Sequence, residues 1–245
     1  MNPAWIVPIG SGILSMSFVI AEQIRPARRV DYANLILADG LAALSYQLMV
    51  VPIAGRGSGP FGTIVSRFMI LPDVIAHLPL ALRFILYYLV ADFGSYWMHR
   101  AMHTRHVWRV HEWHHAPTNL WWLAGVRASV PQQVLFNLPG ILAVPLIAGA
   151  PGWILPVLVL EGIFRNNWMH MNVTWKSEWI ERIFVTPRFH HIHHSAEPQH
   201  FDRNFGSLFS IWDRLFGTQC LPDSTTPRRF GAPTTKNPVR LFLGL

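Results

Sequence analysis

Phe189-His190-His191-Ile192-His193-His194-Ser195 carries four histidines in seven positions, the highest density in the chain. Two earlier windows are similarly dense: His99-Arg100-Ala101-Met102-His103 and His111-Glu112-Trp113-His114-His115. Nine of the 13 histidines of the chain lie in these three windows. Imidazole is the commonest metal ligand near neutral pH, because much of it is neutral and keeps a free lone pair. The three windows therefore predict a polyhistidine metal centre.

The spacing within each window matches one face of an α-helix, since residues three and four apart lie on the same face. The first window has two histidines at i and i+4, and each of the other two has three at i, i+3 and i+4. The eight are His99, His103, His111, His114, His115, His190, His193 and His194. Eight imidazoles are too many for one tetrahedral ion and suit two metal ions, with His191 pointing elsewhere. His170, at the end of the last apolar segment, is a ninth candidate ligand.

The composition favours a membrane protein of 245 residues that forms one domain over residues 1–245. Hydrophobic residues make up 51% of the chain and charged residues 13%, against about 25% charged residues in average soluble proteins. The net charge of +7 is almost entirely arginine, which in a chain this hydrophobic favours lipid headgroup contact over nucleic-acid binding. Cys220 is the single cysteine, so any metal is held by nitrogen and oxygen.

The hydrophobic pattern predicts an all-α integral membrane helical bundle with four to five membrane segments. The apolar segments are residues 4–21, 32–54, 78–98, 130–148 and 153–168. The last two form a hairpin that could be re-entrant, and residues 61–71 are too short to span and are expected along the interface. Arg83 and Asp92, inside the third segment, are expected to face protein or a polar cavity.

Charge bias sets the expected orientation. Positive charge follows the first, third and fifth segments, which predicts an external N-terminus and a cytoplasmic, histidine-rich catalytic cap. Arginine follows rather than precedes the first segment, so we expect a retained helix and not a cleaved signal. The dominance of arginine over lysine favours a bacterial inner membrane.

Two other classes of function fit part of the pattern. Residues 111–115 also satisfy H-E-x-x-H, the helix signature of zinc metalloproteases with Glu112 as base. An intramembrane zinc protease would leave at least five histidines without a role. A non-enzymatic metal or pH sensor would use the histidines without an oxidative reaction.

Residues around the histidines resemble a known family. Asp92-Phe93-Gly94-Ser95-Tyr96-Trp97-Met98-His99-Arg100 is similar to the first histidine box of the fatty acid hydroxylase and sterol desaturase superfamily of membrane di-iron enzymes. Thr186-Pro187-Arg188-Phe189-His190 and residues 204–218 resemble its last box and the segment that follows. The resemblance covers about residues 85–220.

This resemblance implies two iron ions, molecular oxygen as co-substrate, and hydroxylation or desaturation of a lipid such as a fatty-acyl chain, a sterol-like lipid or an aminolipid. Zinc would reflect replacement of iron. The eight clustered histidines would be the catalytic metal ligands, together with His170 as a ninth ligand. Members of the family often carry paired histidines where this chain has only His170. Because no flavin, nicotinamide or haem motif is present, electrons are expected from a separate reductase, ferredoxin or cytochrome.

Carboxylates usually orient metal-bound imidazoles. The candidates for this role are Asp92, Glu112, Asp202 and Asp213. Trp121 and Trp122 are expected in an interfacial aromatic belt rather than in a substrate slot.

Overall fold

The computed structural model describes residues 5–56, 72–221 and 227–245, and this part of the chain is all-helical, with isolated bridges and no β-strand. We number its α-helices in chain order. They are α1 (Ile6–Ile24), α2 (Ile36–Arg56), α3 (Pro72–Ala76), α4 (Leu80–Met102), α5 (Trp108–His115), α6 (Val130–Ala143), α7 (Ile154–His170), α8 (Pro187–His193), α9 (Ile211–Leu215) and α10 (Pro238–Leu243).

Each of the five predicted apolar segments coincides with one long helix: α1, α2, α4, α6 and α7. Two helical stretches in the described residues are long and apolar enough to cross a membrane, Ile6–Ile24 and Val130–Ile147. The second is α6 extended by a 3₁₀ turn, Val144–Ile147. The number of membrane crossings and the cytoplasmic cap stay predictions, and the interfacial segment at 61–71 lies outside the described residues.

The charged residues inside α4 face protein, as predicted. Arg83 is buried, and its Nε donates to the Leu146 carbonyl at 2.8 Å while its Nη2 contacts the Ala148 carbonyl. Asp92 is 3% exposed and lies near the middle of the helix, where it accepts hydrogen bonds from the backbone N–H groups of Leu208 and Phe209. Partners on neighbouring elements satisfy both charges, which removes most of the cost of placing them in an apolar helix.

Close packing of α4 against α6 positions the first histidine window. A Cβ added to Gly94 would lie 2.8 Å from Pro139 Cβ, so only glycine permits this approach. Pro139 lies inside α6, where it cannot donate a backbone hydrogen bond. The contact lies about one turn before His99, at the level where α4 enters the site.

Two buried carboxylates connect the first helices to the loops around the histidines. Glu22 Oε1, on α1, accepts the backbone N–H groups of Trp122 and Asn172, both at 2.7 Å. Asp39, on α2, accepts from Trp121 Nε1 at 2.6 Å and forms an ion pair with Arg127. Both carboxylates therefore fix loops that lie next to the histidine windows.

The expectation of an interfacial belt was wrong for Trp121 and Trp122. Their exposed fractions are 4% and 8%, and they pack with Phe18 and Met171 in a hydrophobic core. The Trp121 indole N–H is satisfied by Asp39, and the backbone N–H of Trp122 is satisfied by Glu22, so both residues are held inside the protein.

Candidate metal centre

Each histidine window has the helical geometry that its spacing predicts. The first ends α4, with His103 as the helical C-cap residue. The second lies in α5, and the third lies in α8 with His194 as its C-cap. Thr186 starts α8, because its hydroxyl accepts the N–H of Phe189 at 3.2 Å and Pro187 occupies the first position of the helix.

The three windows and the end of α7 converge, and their imidazoles separate into two groups that could each hold a metal ion. In each group the nitrogen atoms that face one another all lie within 4.8 Å. The first group is His99, His103, His111, His115 and His193. The second group is His114, His170, His190 and His194. All nine predicted ligands are therefore brought together, including His170, which sequence left as the least certain.

In the second group, the Nε2 atoms are spaced like ligands around one ion. His170 Nε2 lies 3.3 Å from His114 Nε2, 3.1 Å from His194 Nε2 and 3.1 Å from His190 Nε2. His190 Nε2 and His194 Nε2 are also 3.1 Å apart. Nitrogens that lie ~2.1 Å from one ion at tetrahedral angles are ~3.4 Å apart. The donor set of the second group thus fits a single metal ion.

The first group shows the same convergence with one more imidazole. His111 Nε2 lies 3.0 Å from His99 Nε2 and 3.2 Å from His115 Nε2. The Nε2 atoms of His103 and His193 are buried and have no hydrogen-bond partner in the described part of the chain. Buried, unpaired nitrogen is costly in a folded protein, and a metal ion would satisfy these atoms.

A short loop after α8 orients three imidazoles of the first group through their Nδ1 atoms. The Phe205 carbonyl lies 2.8 Å from His99 Nδ1, and the Arg203 carbonyl lies 2.8 Å from His193 Nδ1. Asp202 Oδ1 lies 3.4 Å from His103 Nδ1. A carbonyl acceptor holds the proton on Nδ1 and leaves the Nε2 lone pair for a metal. We call residues 202–206 the orienting loop.

The orienting loop needs unusual backbone geometry. Asp202 and Asn204 have φ angles of 57° and 59°, in the left-handed region where Asn and Asp are tolerated better than most residues. Asn204 fixes the loop by donating its Nδ2 to the Phe189 carbonyl at 2.9 Å. Asp213 accepts the N–H groups of Phe205 and Gly206 at 2.7 and 2.8 Å.

The second group is oriented by carbonyls from two other elements. His114 Nδ1 lies 3.1 Å from the Arg127 carbonyl, and His170 Nδ1 lies 2.7 Å from the Asn166 carbonyl. Gly125 packs directly against the ring of His170, because a Cβ there would lie 2.5 Å from His170 Nδ1. The 3₁₀ turn Ala124–Val126 is therefore part of the site.

The electrostatics of the site favour neutral imidazole. Burial, followed by repulsion between neighbouring imidazoles, lowers the pKa of the histidines of α5 and of the last window well below 6.5. This applies to His111, His114, His115, His190, His193 and His194. Neutral rings keep the lone pair that binds a metal, so the site is prepared for metal at any pH near neutral.

His191 lies outside both groups, as its spacing predicts. Its ring is 5.7 Å from that of Phe230. Burial, with a smaller contribution from the charge of Arg28, lowers the pKa of His191 to about 3. This residue therefore has a packing role next to the site.

Of the four carboxylates expected to orient imidazoles, only Asp202 contacts one of the nine histidines in the described structure, and the hydrogen bond from His103 lowers the pKa of its carboxyl. Asp213 acts indirectly, through the backbone of the orienting loop. Asp92 instead accepts from the N–H groups of Leu208 and Phe209 and from the Trp212 side chain.

Glu112 is directed away from the histidines, and the expectation that it orients a ligand is corrected here. Its Oε2 lies 2.6 Å from Lys236 Nζ, in the segment before α10. This ion pair holds the Glu112 carboxylate away from the position that the base of a zinc protease would occupy.

A cavity of about 540 Å³ adjoins both histidine groups. His99 of the first group and His114, His170 and His190 of the second lie in its wall. Most of the remaining wall is apolar and comes from α4, α6 and α7, including Val134, Leu138, Ile141, Leu155 and Leu158. An apolar ligand in this cavity would contact the candidate metal centre directly.

The model of the fatty acid hydroxylase family matches residues 84–218, which include the histidine windows, α6, α7 and the orienting loop. The chain belongs to the fatty acid hydroxylase family. The resemblance seen in the sequence is confirmed, and its extent of about 85–220 agrees with the match. No protein of solved structure matches the chain.

The names of three similar proteins refer to lipids or to very-long-chain compounds. An ornithine lipid hydroxylase from Rhizobium tropici is 34% identical over 145 residues, which cover 57% of this chain and 42% of that protein. An alkylglycerol monooxygenase from Danio rerio is 32% identical over 132 residues, which cover 54% and 29%. A very-long-chain aldehyde decarbonylase from Oryza sativa subsp. japonica is 27% identical over 142 residues, which cover 52% and 22%. The chain matches less than half the length of each of these relatives.

Several functional positions of this family member have no signal in the sequence. Arg127, Asn166, Arg203 and Phe205 act through backbone carbonyls, which any residue type supplies. Gly125 acts through the absence of a Cβ. The exception is Phe205, because it belongs to Asn204-Phe205-Gly206, a sequence that carries the family resemblance and whose Phe205 carbonyl contacts His99.

Proposed function

We propose that this protein is a membrane-bound, non-haem di-iron monooxygenase that hydroxylates, or desaturates, a lipid with O2. The ligands would be His99, His103, His111, His115 and His193 for one iron and His114, His170, His190 and His194 for the other. The observation that carries the proposal is the division of nine buried imidazoles into two groups beside one apolar cavity.

The nine imidazoles can bind iron, but imidazole alone does not select iron over other metals. Imidazole suits iron, zinc and copper alike, but iron, when bound, would supply the O2 activation that oxidation of an unactivated C–H bond requires. Hydroxylation consumes O2, two electrons and two protons and yields the alcohol and one water. The single cysteine, Cys220, lies outside both groups in the part of the chain that the structure describes. One cysteine cannot hold an iron–sulfur cluster, so we assign the electrons to an external donor protein.

The protein itself contributes three functions in this proposal. The orienting loop and the Arg127 and Asn166 carbonyls hold the imidazoles in one tautomer. Buried packing excludes water from the ligands; His111 and His170 are 0% and 1% exposed. The cavity places an alkyl group beside the metals, and such positioning accounts for a large part of enzymatic rate enhancement.

The two alternatives fit the structure less well. A zinc protease requires Glu112 at the metal, but this residue pairs with Lys236 instead. A sensor has no use for an apolar cavity of this volume beside the metal ligands. The cavity therefore favours an enzyme that binds an apolar substrate.

The names of the relatives support a lipid substrate, and the long apolar helices support an integral membrane protein. We extend the proposal to a single domain whose histidine centre faces the cytoplasm, in a bacterial inner membrane. A reductase, ferredoxin or cytochrome would then reach the site from the cytoplasmic side.

Metal analysis of anaerobically purified protein tests the proposal. We expect about two iron ions per chain, and we expect His193→Ala and His190→Ala to lower iron in the first and second groups respectively. His191→Ala is the matched control, because it changes an adjacent histidine outside both groups, and it should keep both irons. A single zinc ion that persists in the His193→Ala protein would refute the proposal.

A further inference from the structure

The cavity wall changes in polarity along α7. The side chains that line it are apolar near the start of the helix, at Leu155 and Leu158. They are charged in the middle, at Glu161 and Arg165, and the series ends at His170. A ligand in this cavity therefore meets an apolar region, then a charged region, then the candidate metal centre.

Along α6 the polar lining residues come first in the chain. Gln133 and Asn137 line the cavity in the first part of α6, together with the apolar Val134, whereas Ile141 and then Val144 of the following 3₁₀ turn line it further along. Because residues 148–153 connect the end of α6 to the start of α7, the apolar ends of both helices lie together. The polar side chains of both helices are thus on the side of the histidines.

Glu161 and Arg165 form an ion pair in the cavity wall. Arg165 Nε donates to Glu161 Oε1 at 2.9 Å, and the two side chains are 26% and 28% exposed. Arg165 Nη1 also lies 4.0 Å from Asp92 Oδ1, but both Asp92 oxygens already accept hydrogen bonds from the segment around Leu208. A guanidinium has five N–H donors, so most of this donor capacity is available to a ligand.

The polar region also contains acceptors without partners. Gln132 Oε1 and Gln133 Oε1 are buried and have no hydrogen bond among the described residues, and both side chains line the cavity. Unsatisfied buried carbonyl oxygens are costly. These oxygens and the Glu161 carboxylate line the same cavity and are acceptors that suit an ammonium group, and the Arg165 guanidinium in that wall suits an oxyanion.

We propose that Arg165, Glu161, Gln132 and Gln133 form a head-group subsite for a zwitterionic amphiphile that carries an ammonium group and an oxyanion. Arg165 binds the oxyanion, and Glu161 and the two glutamine oxygens bind the ammonium group. The apolar tail lies against the far ends of α6 and α7. This inference rests on the proposed function, because it takes the cavity as the substrate site.

The position of the subsite also limits where the substrate is oxidised. Arg165 precedes His170 by five residues, which is ~7.5 Å of rise along α7. A head group held by Arg165 therefore places nearby atoms at the second histidine group. Oxidation close to the polar head, and not at the far end of the tail, follows from this geometry.

Binding to the wild-type protein tests the subsite without turnover. Three amphiphiles with the same acyl chain are compared anaerobically in nanodiscs: an aminoacyl lipid with a free carboxylate, phosphatidylethanolamine, and a neutral monoacylglycerol. We expect at least one zwitterion to bind ~10–100-fold more tightly than the neutral lipid, as charge-assisted hydrogen bonds predict. Preference between the first two identifies the oxyanion as carboxylate or phosphate. Equal binding of all three would overturn the proposal.

A double substitution then assigns the preference to the ion pair. Glu161→Gln with Arg165→Gln removes both charges together, so neither is left buried and unpaired. We expect the preference for the zwitterion to disappear while the iron content and the binding of the neutral lipid stay within about twofold of wild type. Lys176→Gln with Glu178→Gln is the matched control, because it neutralises an exposed pair outside the cavity.

The outcomes separate the subsite from the proposed function. Zwitterion preference in a protein that holds no iron would support the subsite and refute the oxygenase. Two irons and O2-dependent oxidation with an unchanged preference in the double variant would refute the subsite alone. If the double variant loses iron, Arg165→Lys replaces it, because lysine keeps the charge but lacks the guanidinium fork. We expect this variant to weaken the zwitterion preference, and a preference equal to that of the wild type would refute the subsite.

Discussion

On the proposed assignment of one metal ion to each histidine group, substitution of Gly125 by alanine should release the ion of the second group. A Cβ at this position would lie 2.5 Å from His170 Nδ1 and 2.8 Å from Asn166 Nδ2. Ordinary contact begins near 3.4 Å, so the imidazole or the turn must shift by about 0.9 Å. His170 Nδ1 is already held at 2.7 Å from the Asn166 carbonyl, which leaves the ring little freedom to adjust.

The shift would act on the second histidine group through His170, whose Nε2 lies within 3.3 Å of the other three Nε2 atoms of that group. Loss of ligand orientation typically lowers metal affinity ~10–100-fold, and overpacking typically destabilises a protein by ~1–3 kcal/mol. We expect the iron content after anaerobic dialysis to fall from about two towards about one per chain, with the first group still loaded.

Gly162→Ala is the matched control on the same helix as His170. A Cβ at Gly162 meets nothing within 4 Å, so this variant should keep both irons and gain up to about 1 kcal/mol of helix stability. The argument is refuted if Gly125→Ala binds both irons with wild-type affinity. Loss of both irons at once would contradict the assignment of Gly125 to the second group.

Three further predictions concern acidic residues near the site. Glu112→Gln should keep iron content and oxidative activity, because Glu112 pairs with Lys236 and not with a histidine; loss of oxidative activity with intact iron would contradict this placement of Glu112 outside the site. Burial raises the pKa of Asp213 from 3.8 to about 6, so the folded state binds this proton more strongly than the unfolded state between these two pH values. The free energy of unfolding should therefore fall as pH rises through that window, by at most ~3 kcal/mol, relative to Asp213→Asn measured in parallel by denaturant titration. Equal pH slopes for both proteins would contradict the burial of an ionisable carboxyl. Asp213→Asn should also weaken iron binding in the first group, because asparagine has one acceptor oxygen for the N–H groups of Phe205 and Gly206.

The sequence by itself determined the helices and the ligand types of this protein. Helical periodicity is local, so the i, i+3 and i+4 spacing predicted the shared faces of α5 and α8 before any tertiary contact was known. The five apolar segments coincide with α1, α2, α4, α6 and α7 for the same reason. His191, displaced around α8 from its neighbours, lies outside both histidine groups, as its spacing predicts.

Only the tertiary structure decided how the histidines divide. Within α5, His111 and His115 join the first group whereas His114 joins the second. In the last window the division is reversed, since His193 joins the first group whereas His190 and His194 join the second. Residues at i and i+4 differ by about 40° around a helix and those at i and i+3 by about 60° in the other direction, so each helix contributes to both groups. Which group each contributes to depends on how the helices cross.

The contacts that orient the ligands were also decided by the tertiary structure. The sequence analysis predicted that carboxylates orient the imidazoles. In the described structure, four of the five Nδ1 contacts of the candidate ligands are instead with backbone carbonyls. The fifth joins His103 to the carboxylate of Asp202. A carbonyl carries no residue signature, and its direction depends on loop conformation. The histidine-rich windows therefore predicted the metal chemistry, while the fold of the loops around them determined its geometry.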